Sequence, residues 1–182
     1  AHAKQNDLPL PKVVIPVHLC GQPCEMDKIY ALSLEYSFAI IEDASHAIGG
    51  RYKENPIGNC EYSDITVFSF HPVKIVTTAE GGVATTNNAV LAKKMDLLRS
   101  HGITRDESLM DEPSHGGWYY EQVDLGFNYR MTEMQAALGL SQMSRLHDFV
   151  AKRNKLAAVY DDLLKSLPLI TPKQINDSYS GR

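Results

Sequence analysis

Short runs of β-branched and apolar residues alternate with helical stretches along the first half of the chain. Four runs predict strands, at residues 12–19, 38–41, 64–70 and 82–86. The apolar spacing at 25–36 predicts a helix between the first two runs, and a second helix is predicted from Asn88, its N-cap, to Arg99, with Gly102 as its stop. This alternation favours an α/β fold with a largely parallel sheet flanked by helices.

The composition argues against several classes of function. The chain has 182 residues, a net charge of -4 and no basic run, which disfavours a nucleic-acid partner or an anionic membrane surface. No apolar run is long enough to span a bilayer, and no signal-peptide pattern opens the chain. Cys20, Cys24 and Cys60 lack a metal-ligand spacing, so we expect reduced thiols, no metal site and a cytoplasmic protein.

Two residues that carry reactive groups follow the predicted strands. Asp43 comes directly after the second run and Lys74 shortly after the third, and ligands gather at the carboxyl ends of parallel strands. An ammonium group among apolar residues is costly to keep charged, so Lys74 suits a neutral amine that attacks a carbonyl and forms a Schiff base. A solvated surface lysine and a turn or helix-cap aspartate are the ordinary alternatives.

Three segments resemble the motifs of one enzyme family. They are Ile-Glu-Asp-Ala-Ser-His-Ala-Ile-Gly at 41–49, Ser-Phe-His-Pro-Val-Lys and Thr-Thr-Ala-Glu-Gly-Gly within 69–82, and Gly-Phe-Asn-Tyr-Arg-Met-Thr-Glu-Met-Gln-Ala-Ala at 126–137. In this order they are similar to motifs of the DegT-type sugar aminotransferases, which are pyridoxal-phosphate (PLP) enzymes of aminotransferase fold type I. The resemblance extends over about residues 13–167.

The resemblance implies PLP as the cofactor and assigns roles to five residues. Lys74 would bind the cofactor covalently and shuttle a proton, and Asp43 would lie beside the pyridine nitrogen. His46 would reach the phenolic oxygen, at a position where the family often has glutamine. Ser69 would bind the phosphate. Asn128 would reach the phosphate of the other subunit, in a homodimer with shared active sites.

The same resemblance implies how the chain is divided. Residues 1–131 would be part of the large PLP-binding domain, 132–167 one long linking helix, and 168–182 the start of the small C-terminal domain. Because members of the family are considerably longer, we expect a fragment that lacks the N-terminal part and most of the small domain. Residues 101–122 are predicted to form a long loop, in which the aromatic cluster around Trp118 would stack on a sugar or nucleotide, or pack on a neighbouring subunit.

The resemblance also implies a reaction, in bacterial surface-sugar biosynthesis. Glutamate would give its amino group, by a ping-pong transamination, to the ketone of a nucleotide-linked sugar. The first two motifs are most similar to the pseudaminic-acid branch of the family, which aminates C4 of a UDP-linked 4-keto-6-deoxy-N-acetylhexosamine. Another nucleotide keto-sugar and an inactive truncated module are the alternatives. A nicotinamide dehydrogenase is disfavoured, because no Gly-x-Gly-x-x-Gly follows a predicted strand.

Overall fold

The structure is a computed structural model that describes residues 5–6, 8–175 and 177–181. It divides into two compact units: the first runs to Asn87 and resumes at Glu133, and the second is Asn88–Thr132. The strands are β1 (Val13–Val14), β2 (Ala39–Asp43), β3 (Arg51–Tyr52), β4 (Asn55–Pro56), β5 (Ile65–Ser69), β6 (Gly82–Thr85), β7 (Ile103–Thr104), β8 (Glu121–Gln122) and β9 (Ser178–Tyr179). The longer helices are α1 (Met26–Tyr36), α2 (Ala89–Arg99), α3 (Glu133–Met143) and α4 (Leu146–Leu164).

A four-stranded sheet in the order β1-β2-β5-β6 forms the centre of the first unit. The β1–β2 and β2–β5 pairs are parallel, as the sequence predicts, whereas β6 runs antiparallel to β5. In the central pair Asp43 lies opposite Val67, so β2 and β5 end side by side. This register places the residues that follow the two strands at one edge of the sheet, which confirms the α/β fold class.

The first predicted strand is much shorter than expected and its side chains are not buried. β1 spans only two residues, and Val13 and Ile15 are 46% and 58% exposed. Pro16 has no amide hydrogen and cannot continue a ladder of hydrogen bonds. The prediction of one buried strand over 12–19 is therefore wrong, because the ladder is interrupted before Pro16 and resumes only as an isolated parallel bridge between Val17 and Asp43.

A small hairpin and α1 enclose the apolar core of the first unit. β3 and β4 pair antiparallel, and β9 adds a third strand against β3. Met26 and Ile40 are 1% exposed and pack with Tyr52. The Tyr52 hydroxyl donates a 2.5 Å hydrogen bond to Asp27, so this aromatic ring is buried with its polar end satisfied.

The predicted single helix over 132–167 consists of two helices. α3 ends at Met143 and α4 begins at Leu146, and between them the Arg145 amide donates to the Gln142 carbonyl. α4 buries Leu146 and Val150. The prediction of one continuous helix is therefore wrong. The apolar period of a single helix does not reveal such a break, because the period says nothing about which other element each face packs against. No helix within the described ranges is long and apolar enough to cross a membrane.

The second unit contains α2, β7 and β8. The Asn88 side chain accepts hydrogen bonds from the amides of Val90 and Leu91, which confirms its prediction as an N-cap. The Gly102 amide donates to the Leu97 carbonyl at 2.9 Å, which confirms Gly102 as part of the helix stop. The predicted loop over 101–122 is partly ordered by the antiparallel β7–β8 pair.

Candidate functional site

The carboxyl ends of β2 and β5 form the candidate site. Asp43 is the last residue of β2 and Ser69 the last residue of β5, and the two strands are parallel neighbours. The Ala44 amide donates to the Val67 carbonyl at 2.8 Å, which extends the pairing one residue past β2. Two of the five predicted cofactor residues thus stand at the same edge of the sheet.

Asp43 is fixed by its backbone and kept ionised by its neighbours. Its amide donates to the Pro16 carbonyl at 2.9 Å, and its carbonyl accepts from the His18 amide at 3.0 Å. Carboxylate Oδ1 accepts from the Ser45 amide at 3.0 Å. The Ser45 hydroxyl lowers the pKa of Asp43 most, partial burial raises it, and the charge of Lys74 lowers it further. Asp43 is therefore an anion.

His46 follows Asp43 by three residues, just past the same end of β2. His46 is exposed, and its Nδ1 accepts a 3.2 Å hydrogen bond from the Cys20 amide. Since Nδ1 accepts, the neutral ring carries its proton on Nε2. The imidazole thus presents an Nε2–H donor, which suits the predicted contact with a phenolic oxygen.

Residues 70–81 connect β5 to β6 and are called here the lysine loop. The Phe70 amide donates to the Gly81 carbonyl at 2.8 Å, and the Phe70 carbonyl accepts from the Thr78 amide at 3.0 Å. The Thr77 hydroxyl donates to the same carbonyl at 3.0 Å. The last part of the loop is therefore hydrogen-bonded to Phe70, the residue at its start.

Lys74 lies in the distal part of this loop. Its amide donates to the His71 carbonyl at 3.0 Å, which closes a turn around Pro72. The side chain is half-buried, so the fully apolar surroundings expected from the sequence are not found. The Ser69 hydroxyl oxygen accepts from the His71 amide at 3.3 Å, which orients Ser69 at the start of the turn.

α3 supports the lysine loop from outside. The Gln135 side chain donates to the Glu80 carbonyl at 3.0 Å. Gly139 is buried, and a Cβ built on it would lie 2.7 Å from the Cγ2 of Thr78. Sequence reasoning did not identify Gln135 or Gly139 as supports, although a glycine inside a helical pattern is a signal of close packing.

Asn128 belongs to the second unit. It is exposed, and its backbone forms an isolated antiparallel bridge with Ser100. Its expected reach into a neighbouring subunit stays a prediction. Trp118 and Tyr120 of the same unit are also well exposed, at 71% and 52%.

A groove of about 630 Å³ lies at the N-terminal end of α1, away from the candidate site. Its lining is polar for the most part and comprises Glu25, Asp27, Lys28, Tyr52, Lys53, Gln174, Ile175 and Asp177. None of these side chains is among the five predicted cofactor residues. The candidate site is thus an open sheet edge with a loop beside it rather than this groove.

Comparison with known proteins identifies a single family. A model of the DegT/DnrJ/EryC1/StrS aminotransferase family matches residues 4–180. A Campylobacter jejuni UDP-4-amino-4,6-dideoxy-N-acetyl-beta-L-altrosamine transaminase is 38% identical over 161 residues, which are 88% of this chain and 40% of that protein. The chain thus spans less than half the length of the curated relatives that it matches.

Solved structures share the fold. Helicobacter pylori PseC, an aminotransferase involved in the biosynthesis of pseudoaminic acid, superimposes with a TM-score of 0.84 at 32% identity, over 97% of this chain and 45% of that one. Spr1654 of Streptococcus pneumoniae, solved in its PMP form, gives a TM-score of 0.79 at 30% identity, over 94% of this chain and 46% of the other. Aminotransferases of this family use PLP.

Proposed function

The chain belongs to the DegT/DnrJ/EryC1/StrS aminotransferase family, and on this premise we propose that the full-length protein transfers an amino group to a nucleotide-linked keto-sugar with PLP as its cofactor. The observation that carries the proposal is the parallel register of β2 and β5, which brings Asp43 and Ser69 to one edge of the sheet. His46 follows Asp43 by three residues, and the loop that carries Lys74 begins directly after Ser69.

This set of side chains fits the demands of PLP. When bound, PLP supplies an electron sink that allows the α-proton of an amino acid to be removed. Ionised Asp43 would hold the proton on the pyridine nitrogen, since an anion beside that nitrogen favours its protonated form. The Lys74 amine would attach the cofactor and, once freed, would take the proton from the α-carbon of the amino donor and deliver it to the C4′ carbon of the cofactor.

Two other side chains would orient the cofactor. The Nε2–H of His46 would donate to the ring oxygen, as its bonded Nδ1 leaves Nε2 as the donor. The Ser69 hydroxyl would bind the phosphate, beside the start of the lysine loop. In this proposal Asn128 completes the phosphate site of a second subunit, so the protein acts as a homodimer with shared sites.

For the substrate we propose a UDP-linked 4-keto-6-deoxy-N-acetylhexosamine, with glutamate as the amino donor. Support comes from the C. jejuni relative, a UDP-4-amino-4,6-dideoxy-N-acetyl-beta-L-altrosamine transaminase, and from H. pylori PseC, an aminotransferase involved in the biosynthesis of pseudoaminic acid. A different nucleotide keto-sugar is the second candidate. Cys20, Cys24 and Cys60 are free thiols, and this supports a reaction in the cytoplasm.

The test uses the full-length protein with added PLP. The visible absorption spectrum is recorded before and after borohydride, and then glutamate and one nucleotide keto-sugar at a time are supplied. We expect a reducible chromophore and transfer of the amino group from glutamate to the UDP-linked 4-keto-sugar. A chromophore with turnover of another sugar would replace the proposed substrate, and the lack of any chromophore would refute PLP chemistry.

A further inference from the structure

Next to the candidate site lies a buried, hydrogen-bonded histidine–carboxylate pair for which the proposed chemistry has no use. His18 is 0% exposed and its Nε2 donates to the Glu42 carboxylate at 2.8 Å. The other ring nitrogen, Nδ1, accepts from the Cys24 amide at 3.2 Å. Both nitrogens are therefore bonded, and the ring is oriented without freedom to flip.

Glu42 is the other half of this pair and is 5% exposed. Its carboxylate also accepts from the Ser63 hydroxyl, and from the Thr66 hydroxyl at 3.1 Å. Burial raises the pKa of Glu42, but the hydrogen bonds from His18, Ser63 and Thr66 outweigh it, so the pKa is lowered. The carboxylate is thus an anion with three donors around it.

Glu42 cannot itself contact a ligand that Asp43 binds. The two residues are consecutive in β2, and successive side chains of a strand point to opposite faces of the sheet. Its hydrogen bond to His18 connects Glu42 to the segment that contacts Asp43 and His46.

His18 belongs to a short segment that touches both Asp43 and His46. We call residues 16–21 the brace. The brace holds Asp43 by two backbone hydrogen bonds, to the Pro16 carbonyl and from the His18 amide. It holds the His46 ring through the Cys20 amide, 3.2 Å from Nδ1. A single segment therefore sets the position of one predicted cofactor residue and the tautomer of another.

The brace also fits closely against the residue it holds. Gly21 has a positive φ of 81°, and a Cβ built on it would lie 2.9 Å from the His46 carbonyl oxygen. The Gly21 amide donates to the His18 carbonyl at 3.0 Å, so the turn of the brace is anchored at His18. Movement of His18 would shift the Cys20 amide away from His46.

A buried charged group such as Glu42 seldom adds net stability compared with apolar residues of similar volume, and its best-attested use is to fix one arrangement of the chain. We infer that His18 and Glu42 are a positioning pair that locks the brace, and so holds Asp43 and His46 for cofactor binding. This inference rests on the proposed function, because it takes those two residues as ligands of the cofactor.

The test compares variants of the full-length protein. His18→Ala and Glu42→Ala remove one partner each, and Glu42→Gln keeps an acceptor for the His18 ring while removing the charge. Val150→Ala is the matched control, because Val150 is a buried residue of α4 that does not touch the brace in any contact given by the structure. Thermal unfolding verifies that each variant is folded.

Two readouts are measured. The first is the dissociation constant of PLP, from a titration of its absorbance. The second is the ¹⁵N chemical shift of the His46 ring nitrogens in cofactor-free protein, assigned with His46→Gln. The second readout reports the hydrogen bond from Cys20 directly, and a residue that is merely important for stability would not change it.

We expect His18→Ala and Glu42→Ala to weaken PLP binding about tenfold each, the size of one lost charged hydrogen bond. The double variant should lose little more, because the two residues act as one unit. Glu42→Gln should restore affinity to within about threefold by the same measure. The ¹⁵N chemical shift of His46 Nδ1 should show a hydrogen-bond acceptor in the wild type, and this hydrogen bond should be lost in His18→Ala.

The inference is overturned if His18→Ala keeps the wild-type ¹⁵N chemical shifts of the His46 ring. It is also overturned if Val150→Ala, at the same loss of melting temperature, weakens PLP binding as much as His18→Ala does. If the two alanine variants do not fold, Glu42→Gln and His18→Gln are measured instead. Unaltered ¹⁵N chemical shifts of the His46 ring in His18→Gln would then overturn the inference. Failure of the wild type to bind PLP refutes the proposed function, whereas the ¹⁵N measurement still decides the inference.

Discussion

Gly139 of α3 lies so close to Thr78 of the lysine loop that a Cβ on Gly139 would be 2.7 Å from the Cγ2 of Thr78. Thr78 has no room to withdraw: it is 1% exposed, its amide donates to Phe70 and its hydroxyl donates to Glu80 at 2.7 Å. A larger residue at 139 must therefore displace α3 or the loop that carries Lys74.

We predict that Gly139→Leu destabilises the protein by about 1–3 kcal/mol, as overpacking of a filled site does. The same substitution at Ser141, an exposed position of α3, should change the free energy of unfolding by only about 0.5 kcal/mol. Denaturant unfolding of both variants measures the difference. Equal stability of the two variants would show that α3 does not press on the loop.

Lys74→Ala should abolish covalent attachment of PLP and transamination while leaving the fold intact, because only an amine forms the linkage. Lys74→Arg keeps a long basic side chain at this position but has no amine that can form the linkage, so it should be equally inactive. Mass analysis of peptides from the borohydride-reduced wild type checks the assignment. A cofactor adduct on a different lysine would remove Lys74 from the mechanism.

Asp43→Asn should retain part of the bound PLP but lower kcat about a hundredfold or more, the scale of losing one preorganised electrostatic partner. The amide can fill the same space, but it does not hold the pyridine nitrogen in its protonated form. Steady-state kinetics and cofactor content are measured together. Turnover near that of the wild type would exclude Asp43 as the partner of that nitrogen.

The lowered pKa of Glu42 predicts a dependence of stability on pH. The folded pKa lies below the ordinary value of 4.5, so the contribution of Glu42 is present above that value and is lost as the pH falls through the folded pKa. The stability of the wild type relative to Glu42→Gln should therefore decline on acidification below about pH 4.5.

Melting temperatures of the two proteins between about pH 7 and about pH 3 measure this decline. His18 is the titratable group that faces Glu42, so the comparison is repeated in a His18→Gln background, where the donor to Glu42 remains but does not titrate. A gap between wild type and Glu42→Gln that is constant over the whole range contradicts the prediction.

A shared active site predicts complementation between two inactive variants. In a dimer of Lys74→Ala with a disruptive variant at Asn128, one site carries both defects and the other carries neither. Activity should therefore return on subunit exchange, up to about half of the wild-type value per mixed dimer. The Asn128 variant must be inactive alone but still able to dimerise. Mixed dimers that are verified and remain inactive would refute the shared site.

The sequence was sufficient to predict the central strands and the position of Asp43 at the carboxyl end of β2. These depend on local runs of β-branched residues and on the rule that ligands gather at the ends of parallel strands. The error at residues 12–19 arose because apolar residues were equated with a buried strand, although Pro16 interrupts the ladder.

The hydrogen bonds that position Asp43 and His46 could not be predicted, because they join residues that are far apart in the sequence. His18 and Glu42 are separated by 24 residues, and Cys20 and His46 by 26. Each residue on its own has the pattern of an ordinary strand or turn residue, and only the folded chain brings the pairs together. The break between α3 and α4 likewise depends on which face packs against the rest of the first unit.

The closure of the lysine loop at Phe70 has a consequence for insertions and deletions. Ser69 and Gly82 are paired across β5 and β6. One residue more or fewer between them would either shift this register, which turns every following side chain to the opposite face, or carry Lys74 away from Asp43. Exposed tip positions such as Val73 should accept many replacements, but the spacing between the strands should accept no change in length.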